Sequence, residues 1–290
     1  MMLSTAPRAV QQTSRLWPVA TLLFALAGCA TKEASTPLPG TIAREGLTIQ
    51  QSLPADLPDE SSRLPGSQFV LISTDNVAGL LMPVPFVAEA VAGALNQHEA
   101  NALAKRYASV DPYAIVSTAM QGSPLLRSGS SVVLHPLAFL VDCSDARYRV
   151  ALTARMESGA WKGSYMVHLP TTYKHATLVA GGADAIAPMR TEMAAAAVIL
   201  RRLIEQDARG ELTRPLYTAD VGSLHLACST VSGVLSAKLI RSIHTDVVEE
   251  GSDYVVVRMA GKLTDSGPLG GLMFGLHYLR KDQLDTFRRN

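Results

Sequence analysis

Arg147-Tyr148-Arg149-Val150-Ala151-Leu152-Thr153-Ala154-Arg155-Met156, then Glu157-Ser158-Gly159-Ala160, then Trp161-Lys162-Gly163-Ser164-Tyr165-Met166-Val167-His168-Leu169 is the stretch on which the fold turns. Tyr148, Val150, Leu152, Ala154 and Met156 alternate with Arg147, Arg149, Ala151, Thr153 and Arg155. A period of two predicts a strand with one buried face and one wet face. Trp161, Gly163, Tyr165, Val167 and Leu169 repeat the pattern, and the Ser-Gly between them supplies a turn. Together they predict a hairpin.

Outward from the hairpin the period changes. Val132–Val141 is apolar but contains Pro136, which predicts an edge or broken strand because proline cannot donate to a ladder. Phe69–Ile72 is a short buried-strand candidate. Phe86–Leu95 and His98–Ala108 read as helical. Asp111-Pro112 predicts a helix start, an N-cap acid followed by proline, with the helix running through Met120 to a stop at Gly122. Pro188–Arg209 carries one apolar stripe: Met189, Met193, Ala196, Ala197, Leu200, Leu203, Ile204 and Ala208. That spacing predicts a long amphipathic helix ending at Gly210. Ser223–Cys228, Tyr254–Leu263 and Met273–Leu279 read as strands, Leu235–Ile243 as a short helix or strand, and Arg280–Phe287 as a tail. Hairpin strands with segregated helices predict an α+β fold, a mainly antiparallel sheet with packed helices.

Composition bounds the function. The 290 residues hold 26 Lys plus Arg and 25 Asp plus Glu, a formal charge of +1. A near-neutral chain argues against nucleic-acid binding by bulk electrostatics. Three cysteines exclude a four-cysteine zinc site and a disulfide scaffold.

The N-terminus carries an address. Arg8 and Arg15 precede an apolar run, Leu16–Ala27, with no acidic residue before it. At about 12 residues the run is too short to span a bilayer, which takes about 20. A basic segment followed by such a run reads as a secretory signal. It ends in Leu26-Ala27-Gly28-Cys29, which resembles the lipobox of bacterial lipoproteins. The resemblance implies cleavage before Cys29 and transfer of diacylglycerol to its thiol. Ala30 and Thr31 follow, with no aspartate after the cysteine. By resemblance this favours the outer membrane, facing the periplasm; inner-membrane anchoring stays open. Residues 1–28 take away two arginines, which leaves 24 basic and 25 acidic residues.

Three segments are therefore expected: a signal peptide over 1–28, an acylated cysteine and tether over 29–66, and a periplasmic domain over 67–290. The tether reading rests on Pro37, Pro39, Pro54, Pro58 and Pro65 among many polar residues. Such a stretch buries too little apolar surface to offset its ordering entropy. Leu47-Thr48-Ile49 is its one edge-strand candidate.

No motif in the domain specifies catalysis. There is no G-x-S-x-G elbow and no P-loop. Ser128-Gly129-Ser130-Ser131 reads as a turn, and Gly267, Gly270, Gly271 and Gly275, before and inside a strand, as a bulge or a close backbone approach. His98-Glu99 begins like HExxH, but Ala102 stands where the second histidine belongs. His168, His225 and His277 fall in separate strands and could meet across a sheet. No cofactor, metal site or catalytic residue is assigned. Cys143 and Cys228 either form a disulfide, in an oxidising compartment, or remain two buried thiols.

The expectation is a membrane-anchored, non-enzymatic accessory, assembly or binding subunit of an envelope complex. Its partners would be the membrane, through the Cys29 lipid, and an envelope protein; self-association is a further option. The alternatives are an envelope hydrolase built on those histidines with a carboxylate, and a small-ligand binder with a pocket at Trp161 and Tyr165.

Overall fold

The computed structural model describes residues 39–54, 57, 61–72, 97–98, 100–104, 107, 109–143, 147–159, 161–180, 183–221, 224–225, 239–240, 244–259, 275–284 and 287–289. All belong to the second of the chain's two units, Ala34–Asn290. Among the described residues, helices α1 (Pro39–Glu45), α2 (Pro112–Met120), α3 (His175–Ala180) and α4 (Ala183–Ala208) accompany fourteen strands. The strands are β1 (Thr48–Ile49), β2 (Ser61–Arg63), β3 (Phe69–Ile72), β4 (Val133–Cys143), β5 (Arg147–Ser158), β6 (Trp161–His168), β7 (Tyr173–Lys174), β8 (Tyr217–Asp220), β9 (Leu224–His225), β10 (Leu239–Ile240), β11 (His244–Glu250), β12 (Tyr254–Met259), β13 (Gly275–Arg280) and β14 (Arg288–Arg289).

One 12-stranded sheet dominates, in the order β14-β8-β11-β12-β13-β6-β5-β4-β3-β2, with β1 beside β4 and β7 beside β5. The β5–β6 hairpin lies at its centre, in the register Ser158↔Trp161 through Ala151↔His168. Three pairings are parallel: β1–β4, β3–β4 and β6–β13. The expected α+β arrangement, a mainly antiparallel sheet with packed helices, is therefore corrected to one large mixed sheet with few helices. Parallel neighbours need a crossover between them. They join strands far apart in the chain and leave no trace in local periodicity.

β4 is internal, not an edge or broken strand. On one side it pairs with β5 along its whole length. On the other it meets β1 at Val133–Leu134 and β3 from Ala138 onward. Val132 and Leu134 accept bonds from β1 residues and their neighbours on that second side, and the Ala138 amide donates there to Gln68. The even positions of β4 thus face β1 and β3. Pro136 falls in the gap between those two strands, where its missing N–H forfeits no ladder bond.

The sheet is buried on both faces. Helices α2 and α4 cover one face, with α1 packed on α4. The α4 stripe foreseen from Met189 to Ala208 is buried there among Val150, Leu152, Ala154, Tyr165, Val167 and Leu276. Gly210, at φ +78°, ends α4. Asp111 caps α2 by accepting the Tyr113 amide at 2.9 Å. The opposite face holds a second apolar cluster: Val70, Ile72, Leu137, Phe139, Ala151, Met166, Val247, Val255, Val257 and Leu279. The β5 face expected to be wet belongs to this second, buried layer.

Residues 39–54 and 61–66 fall in the stretch whose composition reads as a tether. Ile42, Leu47 and Leu64 are nevertheless buried in the helix-side core. Such a segment has too few apolar residues to fold alone, and the rest of the domain supplies the surface that covers them. Gly46 turns the chain from α1 into β1 at φ +73°, and an added Cβ would lie 2.5 Å from the Leu125 carbonyl oxygen. The Leu47 amide donates to that same oxygen at 2.7 Å. Ser130 Oγ donates to the Gly46 carbonyl at 2.9 Å, and Ser131 Oγ bonds Glu45. The Gly/Ser turn therefore clasps the N-terminal segment.

Candidate functional site

Polar side chains stand where the second face should be apolar. Along β5, Arg149, Ala151, Thr153 and Arg155 point away from the helices, because Val150, Leu152, Ala154 and Met156 line the helix-side core. Thr153 is 0% and Arg155 2% exposed. Registers bring Ser164 opposite Arg155, and Met166 opposite Thr153, with His277 on the other side of Met166. His135 of β4 lies opposite Arg155. The result is a polar row over four strands, from His135 through Arg155 and Ser164 to His277, all buried, with the half-buried His168 beyond it.

Gly275 makes the row possible. It faces Ser164 across the parallel β6–β13 pair at φ +137°, and a Cβ there would sit 1.8 Å from the Ser164 carbonyl oxygen. Only glycine lets β13 approach this closely.

Arg155 Nη1 donates to Ser164 Oγ at 3.1 Å. The His135 Nδ1 lies 3.0 Å from Ser52 Oγ and 3.1 Å from the Ser52 carbonyl oxygen. His168 and His277 stack, with centroids 5.9 Å apart and planes 26° from parallel. Burial pushes the His168 pKa down to about 3, and His277 and Arg149 reinforce the shift. His168 is therefore neutral near pH 7. Its Nε2 and Thr153 Oγ1 are shielded from solvent and have no hydrogen-bond partner among the described residues.

A separate buried network ties α4 to the sheet. Asp207 accepts from Tyr165 OH at 2.7 Å and pairs with Arg258, which also donates to the Leu212 carbonyl at 3.1 Å. Burial, reinforced by Asp207, raises the Tyr165 pKa well above that of a free phenol. Near the C-terminal tail, Glu250 accepts from Arg289 at 2.6 Å, from Lys281 at 2.7 Å and from Tyr217. These donors, Arg289 first, hold its pKa near 2. Both networks are spent on holding elements together.

Of the three strand histidines, the structure brings His168 and His277 together. His225 lies in β9, which among the described residues pairs with β10 in a separate two-stranded sheet. Tyr165 and Trp161 pack with the helix-side core, and the Tyr165 hydroxyl is committed to Asp207. His98 is exposed on a helical stretch. No group of three metal-ligating side chains occurs among the described residues. Cys143 ends β4 opposite Arg147; its side chain, Cys228 and the lipobox with Cys29 lie outside the described residues.

Sequence reasoning missed Thr153, Arg155, Ser164 and His135 as a set. One signal was present: an apolar-poor strand face holding three arginines, Arg147, Arg149 and Arg155, read as solvated because charged residues usually are. No family model matches this chain, and neither a curated protein nor a solved structure matches it.

Proposed function

We propose that the chain is a bacterial lipoprotein, anchored through a diacylglyceryl group on Cys29, that serves as a non-enzymatic accessory, assembly or binding subunit of an envelope complex. The observation that carries the reading is Leu26-Ala27-Gly28-Cys29 placed directly after a basic segment and a short apolar run. Lipid chains contribute about 0.8 kcal/mol per buried CH2, enough to hold the domain at a membrane when two or more chains act together. The ten residue steps from Cys29 to Pro39 span at most roughly 35 Å when fully extended. The domain would then work close to the bilayer, within reach of membrane-embedded partners. Among the described residues no helix is long and apolar enough to cross a membrane.

The accessory role is favoured by how the charged groups are used. Asp207, Glu249 and Glu250 each pair with basic groups that link elements. The hydrolase alternative needs a histidine activated by a carboxylate. Among the described residues, the charges acting on His168 are Arg149 and His277, both of the opposite sense to that requirement.

The test is crosslinking in intact cells followed by mass spectrometry, with a Cys29→Ala strain as control. Reproducible partners that disappear in the control are expected. A mature protein with no partner above background, and with turnover of an envelope substrate, would overturn the reading.

A further inference from the structure

The N-terminal segment is inserted into the sheet rather than laid on it. β1 has a backbone partner on each side. The Leu47 amide donates to the Leu125 carbonyl at 2.7 Å, and the Arg127 amide donates to the Leu47 carbonyl at 3.0 Å. On the other side the Thr48 and Gln50 amides donate to the carbonyls of Val132 and Leu134, at the start of β4, each at 2.9 Å. Side chains close the slot. Thr48 Oγ1 donates to the Arg127 carbonyl at 3.0 Å, Arg127 donates to the Arg44 carbonyl, and Ser130 and Ser131 hold Gly46 and Glu45. One short segment of the body, residues 125–134, therefore grips residues 44–50, and α1 adds its contact with α4.

This arm has little stability of its own. α1 is seven residues long and β1 two, and isolated helices below about 12 residues are marginal in water. Ile42 and Leu47 are its fully buried apolar side chains, and Ala43, Arg44 and Glu45 are exposed. The arm therefore keeps its structure only while docked, and it leaves as one unit. The body does not depend on it in the same way. Without β1, β4 still pairs with β5 along its whole length and with β3 from Ala138 onward. The backbone groups that β1 vacates lie at a strand edge, where water takes the place of the lost partners. Segments with few buried apolar contacts open before the core does. The hinge is marked in the same residues: Gln50, Gln51 and Ser52 are exposed, Ser52 is tied to His135, and Leu53 and Leu57 pack on the second cluster. The chain from Ser52 onward stays with the body.

We propose that residues 39–50 are a releasable strap, docked in the slot between residues 125–127 and the start of β4, that sets how far the domain stands from its anchor. With the strap docked, the ten residue steps from Cys29 to Pro39 span at most roughly 35 Å. With it released, the 23 steps from Cys29 to Ser52 span at most roughly 80 Å. The short state keeps the domain beside the membrane that holds it. The long state lets it meet a partner set well off that membrane. Release breaks no covalent bond. The strap itself rests on the fold alone, and its effect on reach rests on the anchored-subunit reading.

The first test is native-state amide exchange of the full chain in detergent, followed against urea. The amides of Leu47, Thr48, Gln50 and Arg127 are expected to share one protection factor, at least about tenfold below that of Leu152 and Ala154 in β5. Their exchange should depend little on urea, because releasing the strap exposes little surface. Exchange of all six amides through a single opening, with the full urea dependence of global unfolding, would overturn the proposal. The second test uses Ile42→Asp with Leu47→Asp, which would bury two carboxylates in the docked strap. The β5 amides are expected to keep their protection while the Arg127 amide loses it; loss of protection throughout would overturn the proposal. Neutron reflectometry of the lipidated chains on a supported phosphatidylcholine bilayer then reads the height of the protein layer. Flexible chains of ten and 23 steps differ in mean span by about 10 Å, and the layer of the double variant is expected to stand higher by that amount. Equal heights with the body folded would overturn the role in reach. Loss of both chains from the bilayer would instead count against the lipid anchor, and amide exchange would still decide the strap.

Discussion

Asp207 shows what a single side chain does here. It is 2% exposed and joins the last turn of α4 to Tyr165 of β6 and Arg258 of β12. Removing one partner of a buried pair leaves the other charge uncompensated and costs about 3–5 kcal/mol. Asp207→Ala is therefore expected to lower the urea-unfolding free energy by that amount. An apolar pair of similar volume removes both charges at once, so Asp207→Leu with Arg258→Met should recover most of the loss. Equal instability of the single and double variants would show that the ion pair is not what holds the helix end. Gly275 is the other residue with a sharp requirement. Gly275→Ala should cost more than about 1 kcal/mol, because the position combines positive φ with contact against the Ser164 carbonyl. Little change in the denaturation midpoint would show that β13 and β6 can separate without loss.

At the scale of elements, much was readable where one period runs long enough. The α4 stripe, the α2 cap at Asp111 and the hairpin at 147–169 all announce themselves within a dozen residues. Each depends on contacts close in the chain. What escaped depends on contacts far along it. Pro136 looked like a strand breaker, and only the gap between β1 and β3 shows why it sits inside β4. Arg155 looked solvated, and only the second layer on the sheet shows that it is not. For the same reason the polar row was visible only in part, as histidines on separate strands. The short C-terminal strand offers a direct check on local anchoring. β14 pairs with β8 through Arg288 and Arg289 alone, and Arg289 is tied to Glu250 and lies over the Tyr217 ring at 4.9 Å. Exposed ion pairs contribute little to global stability, about 1 kcal/mol or less. Glu250→Gln should thus speed amide exchange at Ala219 and Arg289 while leaving the overall unfolding free energy nearly unchanged. Unaltered exchange at those amides would assign the tail's attachment to Leu284 and Phe287, which pack on the second cluster.

For the molecule as a whole, pH integrates these local environments. His168 has a folded pKa of about 3 against an ordinary 6.5. The unfolded chain therefore binds its proton first. The stability associated with a neutral His168 is complete above pH 6.5 and declines as pH falls toward 3. Glu250, held near 2 against an ordinary 4.5, adds only a slight second decline below pH 4.5 as its carboxylate is protonated, because solvent screens its ion pairs and limits their contribution to about 1 kcal/mol or less. The melting temperature should fall in two stages on acidification, and His168→Gln should flatten the stage between pH 6.5 and 4.5. A wild-type melting temperature constant over that upper window would contradict a neutral His168 whose Nε2 is shielded from solvent.

The role proposed for the molecule rests on one covalent event, acylation at Cys29, which decides whether the large sheet works at a membrane. The direct measurement is the intact mass and N-terminal peptide mass of the protein isolated from the envelope of its own cells. The account predicts a chain that begins at Cys29 and carries a diacylglyceryl group on that thiol. A chain that keeps residues 1–28, starts elsewhere, or begins at an unmodified Cys29 would contradict it.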